Sequence, residues 1–464
     1  MDTYNYSDLL NLTDDLIGQK ILLVGRIHKI RRAGGLCFLI LRYQTKTIQC
    51  ICKKNDLGKD SFIELTNLPI ESVVQLFGSL SKLPETINQV DSTYYKHMEF
   101  VVNKFNLVSR SSVELPFSIT DADSTEDYTS NILIDTRLNN RGLDLRVPIT
   151  FCIMKLRSGL VKYFREYLTE NKFIEIQTPK ILGTASESGA SVFKIKYFDK
   201  DASLAQSPQL YKQMAISADY DRVFEIGPVF RAENSSSNRH LCEFTGLDIE
   251  MCIKPDGTGQ YNYRDVTDLI WKLIKSIQSK LYVNFGEEIE YIRKRNNFQD
   301  LILPDEPVYF DFQDAVLLLK QNGIHMEDTD DLSTVGEKML GKLMKEMTGS
   351  DMFILTGYPS KVRPFYTMLN EDKTYSKSYD IILNGIEISS GAQRIHQYDE
   401  LLQRLVDLEI PIEPLKGYLD SFKYGCNPHA GCGLGLERLV MLFFGLQNVK
   451  EASFCPRDPS RLYP

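Results

Sequence analysis

FEIGPVFRAENSSSNRHLCEFTGLDIEM, residues 224–251, holds two strand-like stretches on either side of a polar run of serine and asparagine. Successive side chains of a strand point to opposite faces. In the first stretch Arg231 and Glu233 therefore share one face, opposite Ile226, Pro228 and Phe230. The polar face of the second stretch consists of Phe244, Gly246, Asp248 and Glu250, with Leu247, Ile249 and Met251 opposite. The pattern predicts an amphipathic hairpin.

The ordinary interpretation of such a hairpin is that its polar face is solvated. A solvated face usually carries many Lys, Glu and Thr residues, whereas this one carries an arginine, a phenylalanine, glycines and acids. That sparse selection favours a binding site, provided that other segments of the chain supply matching chemistry.

Composition and length describe a chain with a large core. The 464 residues are 43% hydrophobic and carry a net charge of -8, which suggests two or more domains and argues against an indiscriminate nucleic-acid binder. The nine cysteines lack CxxC spacing, so neither a disulfide framework nor a zinc site is indicated. We expect no membrane span and no signal peptide, and hence a cytoplasmic protein.

The first 110 residues contain five short runs rich in β-branched and aromatic residues: ILLVGRIHKI, GGLCFLILRY, TIQCICKK, SVVQLFGSL and MEFVVNKFNLVS. Between Lys20 and Asp60 there are ten Lys or Arg against two Asp. Five strands with a basic, aromatic-bearing face predict an OB-fold barrel that binds oligonucleotides. We place this barrel at residues 1–108, a hinge or linker at 109–140 and a large α+β domain on an antiparallel sheet at 141–464.

A second hairpin is predicted at KTYSKSYDIILNGIEISSGAQRIH, because Asn384-Gly385 between two β-rich runs is a strong two-residue turn signal. That turn pairs Ile382 with Glu387 and brings Asp380 and Glu387 to one face. Two neighbouring carboxylates repel unless a cation lies between them, and Mg²⁺ is a suitable cation, although a solvated strand is the alternative.

At the C-terminus, HAGCGLGLERLVMLFFG predicts a glycine-rich turn followed by a buried helix that retains Arg438. A buried arginine needs a partner. A phosphate, an aromatic ring or a neighbouring carboxylate would each serve, and the sequence alone leaves these open.

These segments resemble the class II aminoacyl-tRNA synthetases. FRAE with its loop is similar to their motif 2, GLGLER to motif 3, and the long helix that leads to FIEIQTPKIL to motif 1. The strings LAQSPQLYKQ, EFTGLDIEM, RPFYTM and EISSGAQRIH resemble, within that class, the aspartyl-tRNA synthetases of the archaeal and eukaryotic cytosolic type. The resemblance implies ATP-dependent activation of L-aspartate, transfer to tRNA(Asp), Mg²⁺ as cofactor and a homodimer.

The resemblance also implies roles for individual residues. Arg231 and Arg438 would be catalytic: Arg231 on the α-phosphate, Arg438 with His240 on the γ-phosphate. Phe244 and Arg438 would sandwich adenine, and Glu233 would accept from its amino group. The complete ATP set is Arg231, Ala232, Glu233, Arg239, His240, Leu241, Phe244, Glu387, Gly435, Leu436, Glu437 and Arg438.

For aspartate, the resemblance implies that Lys212 and Arg394 grip the side-chain carboxylate, oriented by Asp248. Glu187 and Gln209 would bind the α-amino group, with Arg231 and Ser390 completing the pocket. Without the resemblance, Lys212 is more simply a surface lysine. Mg²⁺ would be held by Glu387, Ser390, Asp380 and Glu250. Ser188 stands where the family's mobile loop is expected to carry glycine, so the loop is expected to close more stiffly.

For the barrel, the resemblance implies that Phe38 stacks on an anticodon base and that Arg31 and Gln49 contact base edges. Glu71 and Ser72 are weaker candidates for that surface, and Phe38 as plain barrel core is the alternative. The chain starts almost directly on the barrel without a lysine-rich extension, so weaker nonspecific RNA affinity is expected. Two alternatives are weighed against this interpretation. An asparaginyl-tRNA synthetase is disfavoured by Lys212 and Arg394, and an inactive paralogue with an RNA-binding or regulatory role would require a missing substrate ligand, whereas each expected ligand is present in the sequence.

Overall fold

The structure is a computed structural model that describes residues 3–84, 87–126, 129–130, 132–185, 187, 191–235 and 237–464. The chain forms two compact units. The first comprises the residues up to Ser124 together with Ser130–Phe151, and the second comprises Thr125–Thr129 together with Cys152–Pro464. Ser188, the departure noted in the mobile-loop segment, lies outside the described residues.

The strands are β1 Asn5–Tyr6, β2 Lys20–Ala33, β3 Leu36–Tyr43, β4 Lys46–Lys53, β5 Val73–Lys82, β6 Met98–Ser109, β7 Thr125–Glu126, β8 Thr129–Ser130, β9 Ile174–Glu175, β10 Ile181–Leu182, β11 Lys194–Tyr197, β12 Lys200–Leu204, β13 Arg222–Phe230, β14 Glu243–Cys252, β15 Tyr309–Asp311, β16 Met352–Thr356, β17 Ser378–Leu383, β18 Ile386–Gln393 and β19 His429–Gly435.

The helices are α1 Lys54–Leu57, α2 Lys59–Thr66, α3 Ile119–Asp123, α4 Ile134–Asn139, α5 Arg141–Asp144, α6 Pro148–Glu170, α7 Gln209–Ser217, α8 Arg264–Asn284, α9 Gly286–Asn296, α10 Phe312–Gln321, α11 Thr334–Thr348, α12 Tyr398–Asp407, α13 Lys416–Phe422 and α14 Leu436–Phe443.

The first unit contains the predicted barrel. Its sheet has the order β1-β2-β3-β4-β6-β5, and an additional β2–β5 pairing closes it. The five predicted runs coincide with β2 to β6, and the alternating inward positions, such as Leu39, Leu41, Cys50 and Cys52, are fully buried. Closure removes the free sheet edges of the barrel strands, so the predicted OB-fold is confirmed.

The second unit is built on an eight-stranded sheet of order β15-β16-β17-β18-β19-β14-β13-β9. The central neighbours are antiparallel, as predicted, and the outer pairs β15–β16 and β13–β9 are parallel. The predicted hairpin of the opening stretch is β13 and β14, in register from Arg222↔Met251 to Phe230↔Glu243. In β14 the apolar face is fully in the core. The apolar face predicted for β13 is wrong, because Ile226 and Phe230 are only half-buried and Pro228 is exposed.

The second predicted hairpin is also present. Asn384 and Gly385 have φ of 49° and 69°, as a two-residue turn between β17 and β18 requires, and Ile382 pairs with Glu387. A bulge between Ile381 and Ile382 then shifts the register, so that Asp380 lies opposite Ser390.

One prediction about local structure is wrong. The glycine-rich segment before α14 is not a turn but the central strand β19, which pairs with both β14 and β18. Gly431 and Gly433 lie opposite Glu250 and Asp248, and a Cβ at Gly431 would come within 2.3 Å of a Glu250 carboxylate oxygen. The glycines therefore make room for acidic side chains of the neighbouring strand.

Among the described residues, no helix is both long enough and apolar enough to cross a membrane.

Candidate active site

A cleft of about 610 Å³ opens over the sheet of the second unit. Its walls come from β14, β18 and β19, from Val229 of β13 and the residues that follow this strand, from the start of α14 and from the segment 361–367. Arg231 and Glu233, predicted on the strand, lie just beyond its end at Phe230. The structure brings most of the predicted residues to this cleft: Glu187, Gln209, Arg231, Glu233, Arg239, His240, Leu241, Phe244, Asp248, Glu387, Ser390, Arg394, Gly435, Glu437 and Arg438.

Five predicted residues do not line the cleft: Ala232, Lys212, Glu250, Asp380 and Leu436. Leu436 is fully buried as the first residue of α14, and Ala232 donates its backbone N–H to the carbonyl of Ser191 at 2.8 Å. Lys212, Glu250 and Asp380 lie behind the first layer of side chains.

At one end of the cleft, two arginines and an aromatic ring form the predicted nucleotide site. The Arg231 guanidinium lies 5.6 Å from the centre of the Phe244 ring. Arg438 donates from Nη1 to the backbone carbonyl of Glu387 at 2.6 Å. Within the described part of the chain, no carboxylate lies within ion-pair distance of Arg438, which removes the structural salt bridge as its explanation.

His240 lies among cations at this end. Its Nδ1 is 2.5 Å from the Ser237 hydroxyl and its Nε2 is 3.9 Å from Glu233. Burial, and then the positive charge of Arg438, lower the pKa of His240. The positive charges of Arg438, Arg239 and Arg231 act on the His240 ring, and an anion bound among them would offset these charges.

Arg239 is less available than predicted. It donates to Glu337 at 3.0 Å and to the Thr334 hydroxyl at 2.5 Å, both at the start of α11. Burial raises the pKa of Glu337, against the effect of Arg239. To bind a phosphate, Arg239 would have to share or release its hydrogen bonds to Glu337 and Thr334.

At the other end, Lys212 is completely buried, so the surface-lysine interpretation is wrong. Its ammonium is 2.9 Å from Asp248 Oδ1 and 3.6 Å from Glu250 Oε2, and it also donates to the carbonyl of Cys432 at 3.3 Å. Burial alone would lower the pKa of Lys212, but Asp248 and Glu250 outweigh it and the pKa is raised. Lys212 therefore stays charged and holds Asp248 from behind.

Arg394 lines the cleft and is tied to Glu250 and Gln209. Its Nε donates to Glu250 Oε1 at 3.0 Å, and its Nη2 donates to Gln209 Oε1 at 3.1 Å and to the Gly431 carbonyl at 2.9 Å. Gln209 in turn donates to Glu250 at 3.0 Å. The two cations Lys212 and Arg394 thus face two buried carboxylates, so their charges already balance, and selection of an anionic side chain depends on geometry.

Glu187 is held at the cleft by two side chains that the sequence-based assignment missed. The hydroxyls of Ser207 and Tyr366 both donate to its carboxylate. Tyr366 also packs against the Arg394 guanidinium, 5.3 Å from its ring centre. The string RPFYTM, which resembles the family, could have pointed to Tyr366, but no role was assigned to that residue from the sequence.

The predicted metal residues divide into two groups. Glu387 and Ser390 line the cleft, and burial followed by the charge of Asp380 raises the pKa of Glu387 to about 7. Glu250 instead lies among Lys212, Arg394 and Gln209 with both oxygens engaged, which disfavours it as a metal ligand. Among the described side chains, no group of three or more His, Cys, Asp or Glu is arranged to hold a metal ion.

Arg363 occupies part of the predicted metal site. It donates to Asp380 Oδ2 at 2.8 Å and to the Ser390 hydroxyl at 2.6 Å. Asp380 Oδ1 is buried and, within the part of the chain that is described, accepts no hydrogen bond. Arg363 thus already offsets the charge of Asp380, and the unpartnered oxygen Oδ1 is the atom that a further cation such as Mg²⁺ would use.

The barrel presents the predicted aromatic face. Phe38 is half-buried and lies outside the core cluster, so it is not plain barrel core. The Arg31 guanidinium lies 5.0 Å from its ring centre, and Gln49, paired with Ile40, shares this face.

The two weaker candidates for this face are not on it. Glu71 and Ser72 are buried, and Glu71 accepts from Arg42 Nη2 at 2.5 Å. Placing them on the RNA surface was therefore wrong. The sequence alone gave no sign of the ion pair with Arg42, which lies 29 positions away.

Comparisons with known proteins agree with this architecture. Residues 133–459 match the family model for class II tRNA synthetases (D, K and N), and residues 21–108 match that for the OB-fold nucleic acid binding domain. The cytoplasmic aspartate–tRNA ligase of Caenorhabditis elegans is 41% identical over 453 residues, which cover 95% of this chain and 84% of the relative.

Two solved structures are similar to this chain over its whole length. The putative aspartyl-tRNA synthetase of Leishmania major Friedlin superposes with a TM-score of 0.92 at 36% identity, covering 100% of this chain and 96% of that one. The asparaginyl-tRNA synthetase of Pyrococcus horikoshii, complexed with asparaginyl-adenylate, reaches 0.85 at 28% identity with full coverage of both chains. The chain therefore belongs to the class II tRNA synthetases of the D, K and N group.

Proposed function

We propose that the chain is an aspartate–tRNA ligase, which activates L-aspartate with ATP and transfers it to the 3′-terminal adenosine of tRNA(Asp). The observation that carries this proposal is the cleft itself. It unites an arginine-rich end suited to a nucleotide with an end where Arg394 and Gln209 are held ready by buried acids. Relatives named aspartate–tRNA ligase match nearly the whole chain.

In the first step, an oxygen of the aspartate α-carboxylate would attack the α-phosphorus of ATP. The bond from that phosphorus to the bridging oxygen breaks, and diphosphate leaves with the electron pair. No side chain has to act as nucleophile, so catalysis rests on positioning and charge neutralisation. Arg231, exposed in the cleft and paired only with the Phe244 ring among the contacts described, is placed to stabilise charge that develops on the α-phosphate.

The nucleotide would be held by the remaining residues of that end. Phe244 and Arg438 would enclose adenine, Glu233 would accept from its amino group, and His240 would approach the γ-phosphate. In the second step the ribose 3′-hydroxyl attacks the carbonyl carbon of aspartyl-adenylate and loses its proton, and AMP leaves.

The amino acid would lie at the other end. Arg394 would bind the side-chain carboxylate with Asp248 and Lys212 behind it, and Glu187 and Gln209 would bind the α-ammonium. Since the charges of Lys212, Arg394, Asp248 and Glu250 balance, we attribute discrimination against asparagine to the direction of the Arg394 donors rather than to net charge.

Mg²⁺ is proposed as the cofactor, held by Glu387 and Asp380 with Ser390 nearby. The fit rests on the paired carboxylates and the orphaned oxygen of Asp380. Bound there, the ion would neutralise phosphate charge. Arg363 orients Asp380 and Ser390 through its hydrogen bonds to both side chains.

For tRNA, we propose that the barrel face with Phe38, Arg31 and Gln49 binds the anticodon by stacking and edge contacts. We also propose residues 1–108, 109–140 and 141–464 as anticodon-binding domain, hinge and catalytic domain. The family match at 21–108 supports the first of these, whereas the match at 133–459 begins within the proposed hinge and the first compact unit extends to Phe151. From the resemblance to motif 2, the segment 234–238 is proposed to approach the acceptor end of the tRNA.

A homodimer is proposed because α6 and the segment that follows it resemble motif 1. Light scattering on the native chain would then give twice the mass of one chain.

The names of the relatives support a cytoplasmic location. The resemblance to an asparaginyl enzyme keeps asparagine as the second candidate substrate.

Amino-acid-dependent exchange between diphosphate and ATP tests the proposal. We expect exchange with aspartate and none with asparagine. Exchange with asparagine alone would establish the second candidate, and exchange with neither would favour an inactive paralogue.

A further inference from the structure

Arg157, in the middle of helix α6, reaches the nucleotide end of the cleft from behind. Its Nη2 donates to the Thr245 hydroxyl at 2.9 Å and to Glu437 Oε1 at 2.8 Å. The other oxygen of Glu437, Oε2, accepts the backbone N–H of Thr245 at 3.0 Å. We call these three residues the Arg157 clamp.

The Arg157 clamp lies where main-chain pairing ends. The β14–β19 ladder runs from Cys252↔His429 to Gly246↔Gly435 and stops there, because the chain turns into α14 at Leu436. Thr245 is the next residue of β14, and its N–H, which has no partner strand on that side, is taken by the Glu437 carboxylate instead. The Glu437 side chain thus accepts the Thr245 N–H at the point where hydrogen bonds between β14 and β19 end.

Each anchored residue is adjacent to a proposed ATP ligand. Thr245 follows Phe244, and Glu437 precedes Arg438. Glu437 is 4% exposed and Arg157 is 24% exposed, so the ion pair is largely removed from water and costly to break singly. Fixing Thr245 and Glu437 against each other fixes the separation of Phe244 and Arg438.

We infer that Arg157 is a positioning residue for ATP: through Glu437 and Thr245 it sets the gap between Phe244 and Arg438. This inference rests on the proposed function of the cleft. It also gives Glu437, which lines the cleft and is expected from the sequence to contact ATP, a second role in holding Thr245 and Arg157.

The test compares Arg157→Met with the native full-length chain. Because charge-assisted hydrogen bonds are lost, we expect KM for ATP in aspartate-dependent exchange to rise about tenfold or more, with KM for aspartate within about twofold. Arg157→Lys, which keeps the charge, should recover part of the loss. The dissociation constant for ATP, measured by equilibrium dialysis, should rise in parallel without any turnover.

The matched control is Arg165→Met, two turns further along the same helix. Arg165 forms a bidentate, largely exposed pair with Glu175 at 2.8 and 3.0 Å, and its loss should leave KM for ATP unchanged. If Arg157→Met fails to fold, Glu437→Gln, which keeps the shape of the side chain, replaces it. In the double variant the two effects should not add, since both remove the same contact.

An unchanged dissociation constant for ATP in both Arg157→Met and Glu437→Gln would overturn the inference. So would equal increases in KM for ATP and for aspartate, which indicate a general structural role. A native chain that binds ATP but lacks exchange would count against the proposed function, and dialysis would still decide the role of Arg157.

Discussion

Lys212 allows the proposed binding of aspartate to be tested separately from the proposed binding of ATP. It is fully buried against Asp248 and Glu250, and the Arg231 and Phe244 contact at the nucleotide end does not involve it. Replacing it with Met keeps the length and removes the charge that holds Asp248. We expect Lys212→Met to lose at least about 99% of aspartate-dependent exchange while the dissociation constant for ATP stays within about threefold.

The control for Lys212→Met is Lys272→Met, an exposed lysine on α8 whose loss should change neither quantity. Unaltered exchange in Lys212→Met would show that the buried ammonium has no part in aspartate binding. Circular dichroism would establish that the variant is folded, because removing one member of a buried ion cluster also lowers stability.

His429 makes stability depend on pH. Its Nε2 lies 3.1 Å from the Gln213 amide nitrogen and its Nδ1 lies 2.7 Å from the Asn427 carbonyl, which fits a neutral ring with the proton on Nδ1. Burial lowers the pKa of His429 from 6.5 to about 4. Between these values the unfolded chain binds a proton that the native chain does not, so stability falls as the pH falls.

From pH 7 to pH 5 this histidine should remove about 2 kcal/mol of the free energy of unfolding. The measurement is the urea midpoint at both pH values for the native chain and for His429→Gln. Carboxylates titrate in both proteins, so the difference between the two pH dependences isolates His429. Identical pH dependences would contradict the prediction.

At the scale of elements, two glycines set how helix α11 packs on the β17–β18 hairpin. A Cβ at Gly341 would come within 2.4 Å of the Gly385 Cα, and one at Gly385 within 2.9 Å of the Lys338 Cα. These are backbone atoms, so neither clash is relieved by a rotamer change. Glu337 of the same helix accepts a hydrogen bond from Arg239, which lines the cleft, so the position of α11 also affects Arg239.

Gly341→Ala should therefore lower the free energy of unfolding by about 1–3 kcal/mol, despite the better helix propensity of alanine. Gly417→Ala on α13 is the matched change, because its Cβ would meet nothing within 4 Å, and it should be neutral or slightly stabilising. Chemical denaturation of both variants gives the comparison. A Gly341→Ala chain as stable as Gly417→Ala would mean that the helix moves away at little cost.

For the whole molecule, we propose that the two compact units have separate functions: the first binds the anticodon and the second activates aspartate. Phe38→Ala should then raise KM for tRNA(Asp) by about tenfold or more, the loss expected for one stacked base, and leave tRNA-independent exchange unchanged. Aminoacylation and exchange assays on the same preparation make the comparison.

Tyr43→Ala is the control for Phe38→Ala. Tyr43 is an exposed aromatic on the same strand, five positions further and therefore on the opposite side of the pleat. Equal losses of tRNA charging in both variants would argue for a general effect on the barrel rather than for base stacking by Phe38.

Features that depend on neighbouring residues in the chain could be predicted from the sequence alone. Alternating apolar residues predicted the barrel strands and β14, and Asn384-Gly385 predicted its turn, because side-chain period and turn chemistry act over a few residues. Motif resemblance brought Arg231, Phe244 and Arg438 to one site. The tertiary structure decided the rest: that the glycine-rich segment is a central strand, that Lys212 is buried behind Asp248, and that Arg157 meets Glu437 from 280 positions away. Each of these depends on what packs against the residue from a distant part of the chain, and no local pattern specifies that partner.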